Sequence, residues 1–205
     1  MIEKGVIRST IRDSILAMSA TERAREEARI AKAITAFEPW RQARSLLIYQ
    51  ALPDEVSLSE LASDAIRAGK RLYLPRVAGE SLAFAAYEPA RTELQRHALG
   101  MDEPTDSGPD ACFDPSSGPW MVICPGRAFS RRGERLGRGG GYYDRFLVSP
   151  AVRNHRPIAV IGVCYEVQLR YSLPCEDHDV PMDFVVTGAG EVFGEHKGPL
   201  AHSTD

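Results

Sequence analysis

The stretch that most constrains how this chain can fold is a strand–helix–strand pattern between residues 45 and 75. Ser45-Leu-Leu-Ile-Tyr-Gln50 is a short apolar run suited to a buried strand, and Arg71-Leu-Tyr-Leu-Pro75 is a second. Between them Ser57-Leu-Ser-Glu60 has the Ser-x-x-Glu form of a capping box, with Val56 and Leu61 placed as a hydrophobic staple. Gly69 supplies a stop for that helix. Two strands joined by a helix within about thirty residues make a βαβ unit, which pairs the strands in parallel through a right-handed crossover.

The remaining elements extend this theme. Residues 6–37 read as helix, with Ile7, Ile11, Ile15 and Met18 on one face. Ser19-Ala-Thr-Glu22 is another capping box and divides the segment in two, the second helix ending near Phe37 before Pro39. Ser81 to Tyr87, Trp120 to Cys124, Pro157 to Tyr165 and Asp183 to Thr187 read as strands, and Tyr143 to Val148 as a short helix. Pro104 to Pro119 is rich in turn formers and reads as a long loop. The expected fold is α/β: a three-layer, open, largely parallel sheet with helices on both faces and an N-terminal helical segment. One domain would span 1–187, followed by a flexible tail over 188–205. Ligands of such sheets bind beyond the carboxyl ends of the strands. Gln50 to Glu55, Pro125 to Asp144 and Glu166 to Asp179 fall at such ends and are expected to converge.

The formal charge of −3 exerts no global pull on nucleic acid or anionic membrane, so any anion site must be local. No apolar run approaches the roughly 20 residues of a membrane span, and residues 1–8 lack the apolar core of a secretory signal. Cys112, Cys124, Cys164 and Cys175 are widely spaced and form no C-x-x-C pair. Reduced thiols in a cytoplasmic protein are the expectation. Cys175 and His178 make one C-x-x-H, which lacks the other ligands of a zinc site.

Chemistry concentrates in Arg135-Leu-Gly-Arg-Gly-Gly-Gly-Tyr-Tyr-Asp144. Its glycines let backbone N–H groups approach an anion without Cβ interference. Arg135 and Arg138 add guanidinium forks suited to phosphate, Tyr142 and Tyr143 flat faces, and Asp144 a hard oxygen donor for Mg²⁺. The run is neither a Walker A loop nor the dinucleotide fingerprint, whose third glycine position is held by Tyr142. Taken alone it also reads as a surface turn with solvated arginines. The acidic stretch Glu176-Asp-His-Asp179-Val-Pro-Met-Asp183 is either a solvated loop or a partner for Asp144 in a metal site, and Glu55 either favours a helix dipole or reads a ligand. An RNA-binding patch built from Arg127, Arg131, Arg132, Arg135 and Arg138 is a further reading, disfavoured by the near-neutral charge and the lack of an RNA-recognition motif.

From about Arg8 to Thr187 the chain resembles the 5-formyltetrahydrofolate cyclo-ligase family, also called methenyltetrahydrofolate synthetases. The resemblance rests on Pro125-Gly-Arg-Ala-Phe129 and Gly133-Glu-Arg-Leu-Gly-Arg-Gly-Gly-Gly-Tyr-Tyr-Asp144. Asp54-Glu-Val56, Gly69 to Arg76, Glu103-Pro104, Asp179 and Asp183 support it. Where the family commonly shows Pro-Gly-Leu-Ala-Phe-Asp, this chain has Arg127 and Ser130. The resemblance implies an ATP- and Mg²⁺-dependent cyclisation of 5-formyltetrahydrofolate, with or without a polyglutamate tail, to 5,10-methenyltetrahydrofolate. It implies Arg135, Leu136, Gly137, Arg138, Gly139, Gly140, Gly141, Tyr142 and Tyr143 at ATP, with Arg138 catalytic and facing the phosphates. Asp144 and Asp179 would hold the metal, and Gln50, Glu55 and Tyr143 the folate. The family's Lys-x-x-Leu-Arg contact with ATP is matched to Arg8-Ser-Thr-Ile-Arg12. A monomer or weak dimer with no nucleic-acid or membrane partner is expected. A non-catalytic relative and a general small-molecule kinase are the competing readings.

Overall fold

The computed structural model describes residues 3–89, 91–98, 100–105 and 111–195. Its N-terminal segment is two helices, α1 (Lys4–Ala17) and α2 (Ala20–Thr35). The capping box between them forms as expected: the Ser19 hydroxyl accepts from the Glu22 N–H, and the Glu22 carboxylate accepts from the Ser19 N–H at 2.9 Å. Pro39 does not simply end the second helix. Its fixed φ suits a first helical turn, and it opens the short α3 (Glu38–Gln42).

Strand β1 (Ser45–Leu47), helix α4 (Ser59–Arg67) and strand β2 (Arg71–Ala78) make the βαβ unit, with β1 and β2 parallel. The capping box expected at Ser57 is absent. The Ser57 hydroxyl engages Ser59 instead, and the Ser57 N–H donates to Glu27 Oε1 of α2 at 3.2 Å. A tertiary carboxylate has displaced the local motif, and α4 starts one residue later, with Leu58 at the N-cap. Strand β3 (Ser81–Ala86) folds back antiparallel on β2. A small hairpin follows, β4 (Leu94–Arg96) with β5 (Asp102–Pro104). Of the loop expected over 104–119, residues 106–110 lie outside the described residues, and Pro115–Ser117 form a 3-10 turn.

The second half contributes β6 (Trp120–Cys124), β7 (Ala128–Ser130), β8 (Arg135–Leu136), α5 (Tyr142–Val148), α6 (Pro150–Asn154), β9 (Ala159–Cys164), β10 (Leu169–Arg170), β11 (Phe184–Thr187) and β12 (Val192–Gly194). The seven-stranded main sheet runs β12-β11-β9-β6-β1-β2-β3. Its inner strands pair in parallel, and β12 and β3 are antiparallel edges. Side chains alternate across the pleat, so neighbours such as Leu46 and Leu47, or Met121 and Val122, enter opposite cores. Helices α1 to α4 cover one face through Ile11, Ile34, Trp40 and Leu61. Helices α5 and α6 cover the other through Phe146, Leu147 and Val152. The three-layer α/β sheet with an N-terminal helical segment is therefore present.

Two sequence expectations are corrected here. Residues 188–195, read as the start of a tail, turn back onto the sheet. The Gly190 N–H donates to the Thr187 carbonyl at 2.8 Å, Gly190 has φ 82°, and β12 then pairs with β11. Residues 196–205 lie outside the described residues. Asp183, read with the acidic stretch, does not face a metal site. It is fully buried, accepting from the Val160 N–H at 2.8 Å and from Arg156 at 2.7 Å. Removing that carboxylate leaves a buried N–H and a guanidinium without it. Asp183→Ala should lower stability by about 1–3 kcal/mol, read as a shift of the urea unfolding midpoint at unchanged slope.

Candidate functional site

Strands β1 and β6 are neighbours, yet the chain leaves them across opposite faces of the sheet. Helix α4 carries β1 to β2 over one core, and α5 with α6 carries β6 to β9 over the other. Such a reversal opens a crevice at the carboxyl ends of the two strands. A cleft of about 600 Å³ lies there, and the three expected segments meet in it. Gln50, Leu52 and Glu55 follow β1, Pro125 to Asp144 follows β6, and Glu176, His178 and Asp179 close the far side.

The glycine run forms one wall. Gly139 and Gly141 have φ of 108° and 64°, a backbone region that side chains with a Cβ rarely adopt. Arg8 lies across Gly139 and donates from Nε to the Gly137 carbonyl at 2.8 Å. Arg145, which the sequence reading passed over, donates to the Gly140 carbonyl at 2.7 Å and to the Glu80 carbonyl, and its guanidinium lies 5.1 Å from the Tyr142 ring. The loop is thus tied to α1 on one side and to the β2–β3 turn on the other.

Arg12 does not belong to this wall. It is exposed and pairs with Asp13 at 3.1 Å. The Lys-x-x-apolar-Arg spacing recurs four residues earlier as Lys4-Gly-Val-Ile-Arg8, and Lys4 and Arg8 are the pair that lines the cleft. One helical turn advances about 6 Å, which carries Arg12 past the rim. Lys4 Nζ lies 2.8 Å from Glu176 and 3.4 Å from Asp179. The hydrogen bond to Glu176, with Asp179 beside it, raises the Lys4 pKa against the opposing effect of desolvation, so the ammonium stays charged.

The arginines of the run do not point freely into solvent. Arg135 is buried on β8, holding Asp144 at 2.7 Å and the Pro125 carbonyl at 3.3 Å, with its guanidinium 5.8 Å from the Tyr143 ring. Arg138 is 41% exposed, pairs with Asp54, and donates to Glu55 Oε1 at 2.9 Å. It spans the phosphate-type loop and the Gln50–Glu55 segment rather than extending toward an open anion pocket. Arg127 is buried against the same Asp54. Of the five arginines of that basic stretch, Arg127, Arg135 and Arg138 are thus paired to carboxylates, while Arg131 and Arg132 are exposed and lie over the Phe193 and Tyr171 rings.

Asp144 Oδ1 accepts from Arg135 and from the Val180 N–H at 3.1 Å, and Asp179 Oδ2 accepts from the Glu176 N–H at 2.9 Å. Among the described residues no three His, Cys, Asp or Glu gather as a ready metal cage. Mg²⁺ uses only one or two protein carboxylates and completes its shell with water and phosphate oxygens. Two hard carboxylates on the cleft wall, Asp144 and Asp179, fit that ion. Cys124, near Arg135 and Asp144, is pushed up to about 12 by burial and remains a thiol.

Tyr49, Leu52, Pro75, Leu82 and Met101 supply apolar wall that sequence reasoning did not assign. Tyr143 packs edge-on against Phe84 at 6.4 Å, and its buried hydroxyl has no hydrogen-bond partner among the described residues. Burial holds that phenol well above its ordinary pKa, so it is a neutral O–H donor awaiting an acceptor.

A family model described as the 5-formyltetrahydrofolate cyclo-ligase family matches residues 1–188. The 5-formyltetrahydrofolate cyclo-ligase of Escherichia coli K12 is 33% identical over 154 residues, covering 74% of this chain and 81% of that protein. Its Saccharomyces cerevisiae namesake is 27% identical over 208 residues, covering 94% and 98%. The solution structure of Aquifex aeolicus 5,10-methenyltetrahydrofolate synthetase is similar with a TM-score of 0.77 at 26% identity, covering 99% of this chain and 98% of that one.

The ionisation of Asp54 offers a test of the paired arginines. Burial works against its charge, but Arg127 and Arg138 outweigh burial and hold its pKa below the ordinary value. A carboxyl depressed on folding stabilises fully above its unfolded pKa and loses that contribution as pH falls through the folded one. The difference in melting temperature between wild type and Asp54→Asn should therefore be largest above about pH 4 and shrink as the pH is lowered below it.

Proposed function

The chain belongs to the 5-formyltetrahydrofolate cyclo-ligase family, and from that premise we propose that it joins ATP hydrolysis to ring closure of 5-formyltetrahydrofolate in the cytoplasm. The observation that carries this reading is the convergence of three loops in one cleft at the β1–β6 crevice. One offers backbone N–H groups, cations and Asp144, one brings Asp179, and one is the Gln50–Glu55 segment.

In this reading Lys4, Arg8 and the N–H groups of Gly137 to Gly141 bind the triphosphate. Asp144 and Asp179 would hold Mg²⁺, which would supply charge neutralisation across the phosphates. Glu55 accepts hydrogen bonds from the pterin amino and ring N–H groups, Gln50 extends that contact, and Tyr143 lies against the folate. Tyr49, Leu52 and Leu82 exclude water around them.

The formyl oxygen is a poor leaving group, so it must first be activated. It attacks the γ-phosphorus, its new P–O bond forming as the bond to ADP breaks. The N10 lone pair then attacks the activated formyl carbon. The C–O bond breaks, phosphate departs with the electron pair, and N10 gives up its proton as the methenyl bridge forms. Phosphoryl transfer of this kind needs alignment and charge stabilisation more than a strong base. Arg138 serves that end, and no activated nucleophile is required of the chain.

Purified protein incubated with 5-formyltetrahydrofolate, ATP and Mg²⁺ should generate the near-ultraviolet absorbance of the methenyl product. Omitting ATP or Mg²⁺ should abolish it, and absence of product under complete conditions rejects the reading. Replacing Arg138 with Ala should cut turnover by about 10²–10³-fold with an unchanged circular dichroism spectrum. The helix register gives a sharper contrast. Lys4→Ala and Arg8→Ala should each raise KM for ATP about tenfold, whereas Arg12→Ala should leave it within about twofold. A large effect at Arg12 alone would reject this assignment of the ATP contacts.

A further inference from the structure

Four charged groups form a continuous chain that reaches the cleft wall from behind it: Arg127 and Asp54 are buried, and Arg138 and Glu55 line the cleft. They differ in how firmly each is held. Arg127 belongs to the frame. Its N–H donates to the Leu136 carbonyl at 2.7 Å, its carbonyl accepts from Gln168 at 3.2 Å, and its side chain is 8% exposed. Arg138 belongs to the glycine loop, whose backbone has few side chains to fix it, and it is the most exposed of the four. Asp54 lies between the two guanidiniums and pairs with both.

Both carboxylate oxygens of Glu55 have partners within the chain. Its Oε1 accepts from Arg138 and its Oε2 from the Leu52 N–H at 3.0 Å. On the reading above, the group that should accept from the pterin is thus covered by the group that should bind phosphate. Each masks the other.

The cost of separating them depends on what is left behind. A buried carboxylate abandoned by its only cation is strongly disfavoured. Asp54 is not in that position, because Arg127 stays beside it when Arg138 leaves. Glu55 is in that position, and N–H donors of an incoming pterin replace what it has lost. We propose that Arg127 and Asp54 are positioning residues that hold Arg138 over Glu55 yet let it go to nucleotide phosphate, so that ATP binding uncovers Glu55 and tightens folate binding. This inference rests on the proposed function for the roles of Arg138 and Glu55. It adds the coupling between the two substrates and a role for Arg127.

Calorimetric titration of the full chain separates the claims, using 5-formyltetrahydrofolate and a β,γ-imido ATP analogue with Mg²⁺ so that no turnover occurs. The folate dissociation constant should fall about fivefold or more when the analogue is saturating, and the analogue's should fall by the same factor in the reverse titration. A factor of one in the wild type overturns the unmasking, and this measurement needs no variant. Arg127→Leu removes the standby cation, so it should raise the analogue's dissociation constant about tenfold, while Arg127→Lys stays within about twofold of wild type. Unchanged affinity in a folded leucine variant, or leucine-like weakening in the lysine variant, overturns the role of Arg127. A wild-type protein that forms methenyl product but shows no coupling rejects this inference alone. One that forms no product and binds neither ligand rejects the proposed function with it.

Discussion

Two adjacent parallel strands whose onward connections run over opposite faces of a sheet cannot have their carboxyl ends covered by the same crossover. In this protein those strands are β1 and β6. The apolar composition of each follows from being buried on both faces, with Leu46 and Met121 in one core and Leu47 and Val122 in the other. Everything polar that follows them in the chain is therefore delivered to one crevice. The Gln50–Glu55 turn arrives from β1, and the glycine-arginine run from β6 by way of the β7–β8 hairpin. Asp179 arrives from the loop before β11, whose entry Asp183 anchors to Val160 and Arg156.

Delivering so much charge to a partly desolvated crevice creates a second requirement. An isolated carboxylate there would shift toward neutrality, and an isolated guanidinium, which stays charged, would draw in water. The chain meets this by pairing: Arg135 with Asp144, Arg127 with Asp54, Arg138 with Asp54 and Glu55, Lys4 with Glu176 and Asp179. These pairs are not equivalent. Those involving Arg127 and Arg135 are buried and belong to the scaffold. Those involving Lys4 and Arg138 include side chains that line the cleft, and under the proposed function they are the ones exchanged for a ligand.

Much of this was legible in the sequence because apolar runs and punctuation report local structure. The βαβ unit, the inner strands and the Ser19 capping box all follow from patterns a few residues long. What was not legible depends on partners far away in the chain. Arg127 stands beside Pro125-Gly126 where the family commonly shows leucine, and only its approach to Asp54, 73 positions earlier, makes it a buried charge. Ser57 carried the right local motif, but Glu27 took its N–H. Lys4, Arg8 and Arg12 share the four-residue spacing of one helix face, so spacing alone could not say which two meet the cleft. Strand β12 spans only three residues behind two glycines, too short for any alternation to show.

The pre-paired state of the cleft also bears on which anions it admits under the proposed function. Open guanidiniums at a glycine loop would hold any phosphate. Here a small anion that reached Arg138 alone would have to displace carboxylates already in place while gaining few contacts of its own. Under the proposed function a triphosphate meets the glycine-loop backbone, Arg8 and Lys4 together with Arg138, all of which line the cleft. The gain from several charge-assisted contacts then outweighs the pairs that are broken. Under the proposed function, self-pairing in the cleft thus becomes a selectivity device. It discriminates by the number of contacts a ligand makes at once, and it does so with the same carboxylates that neutralise the cations of the crevice.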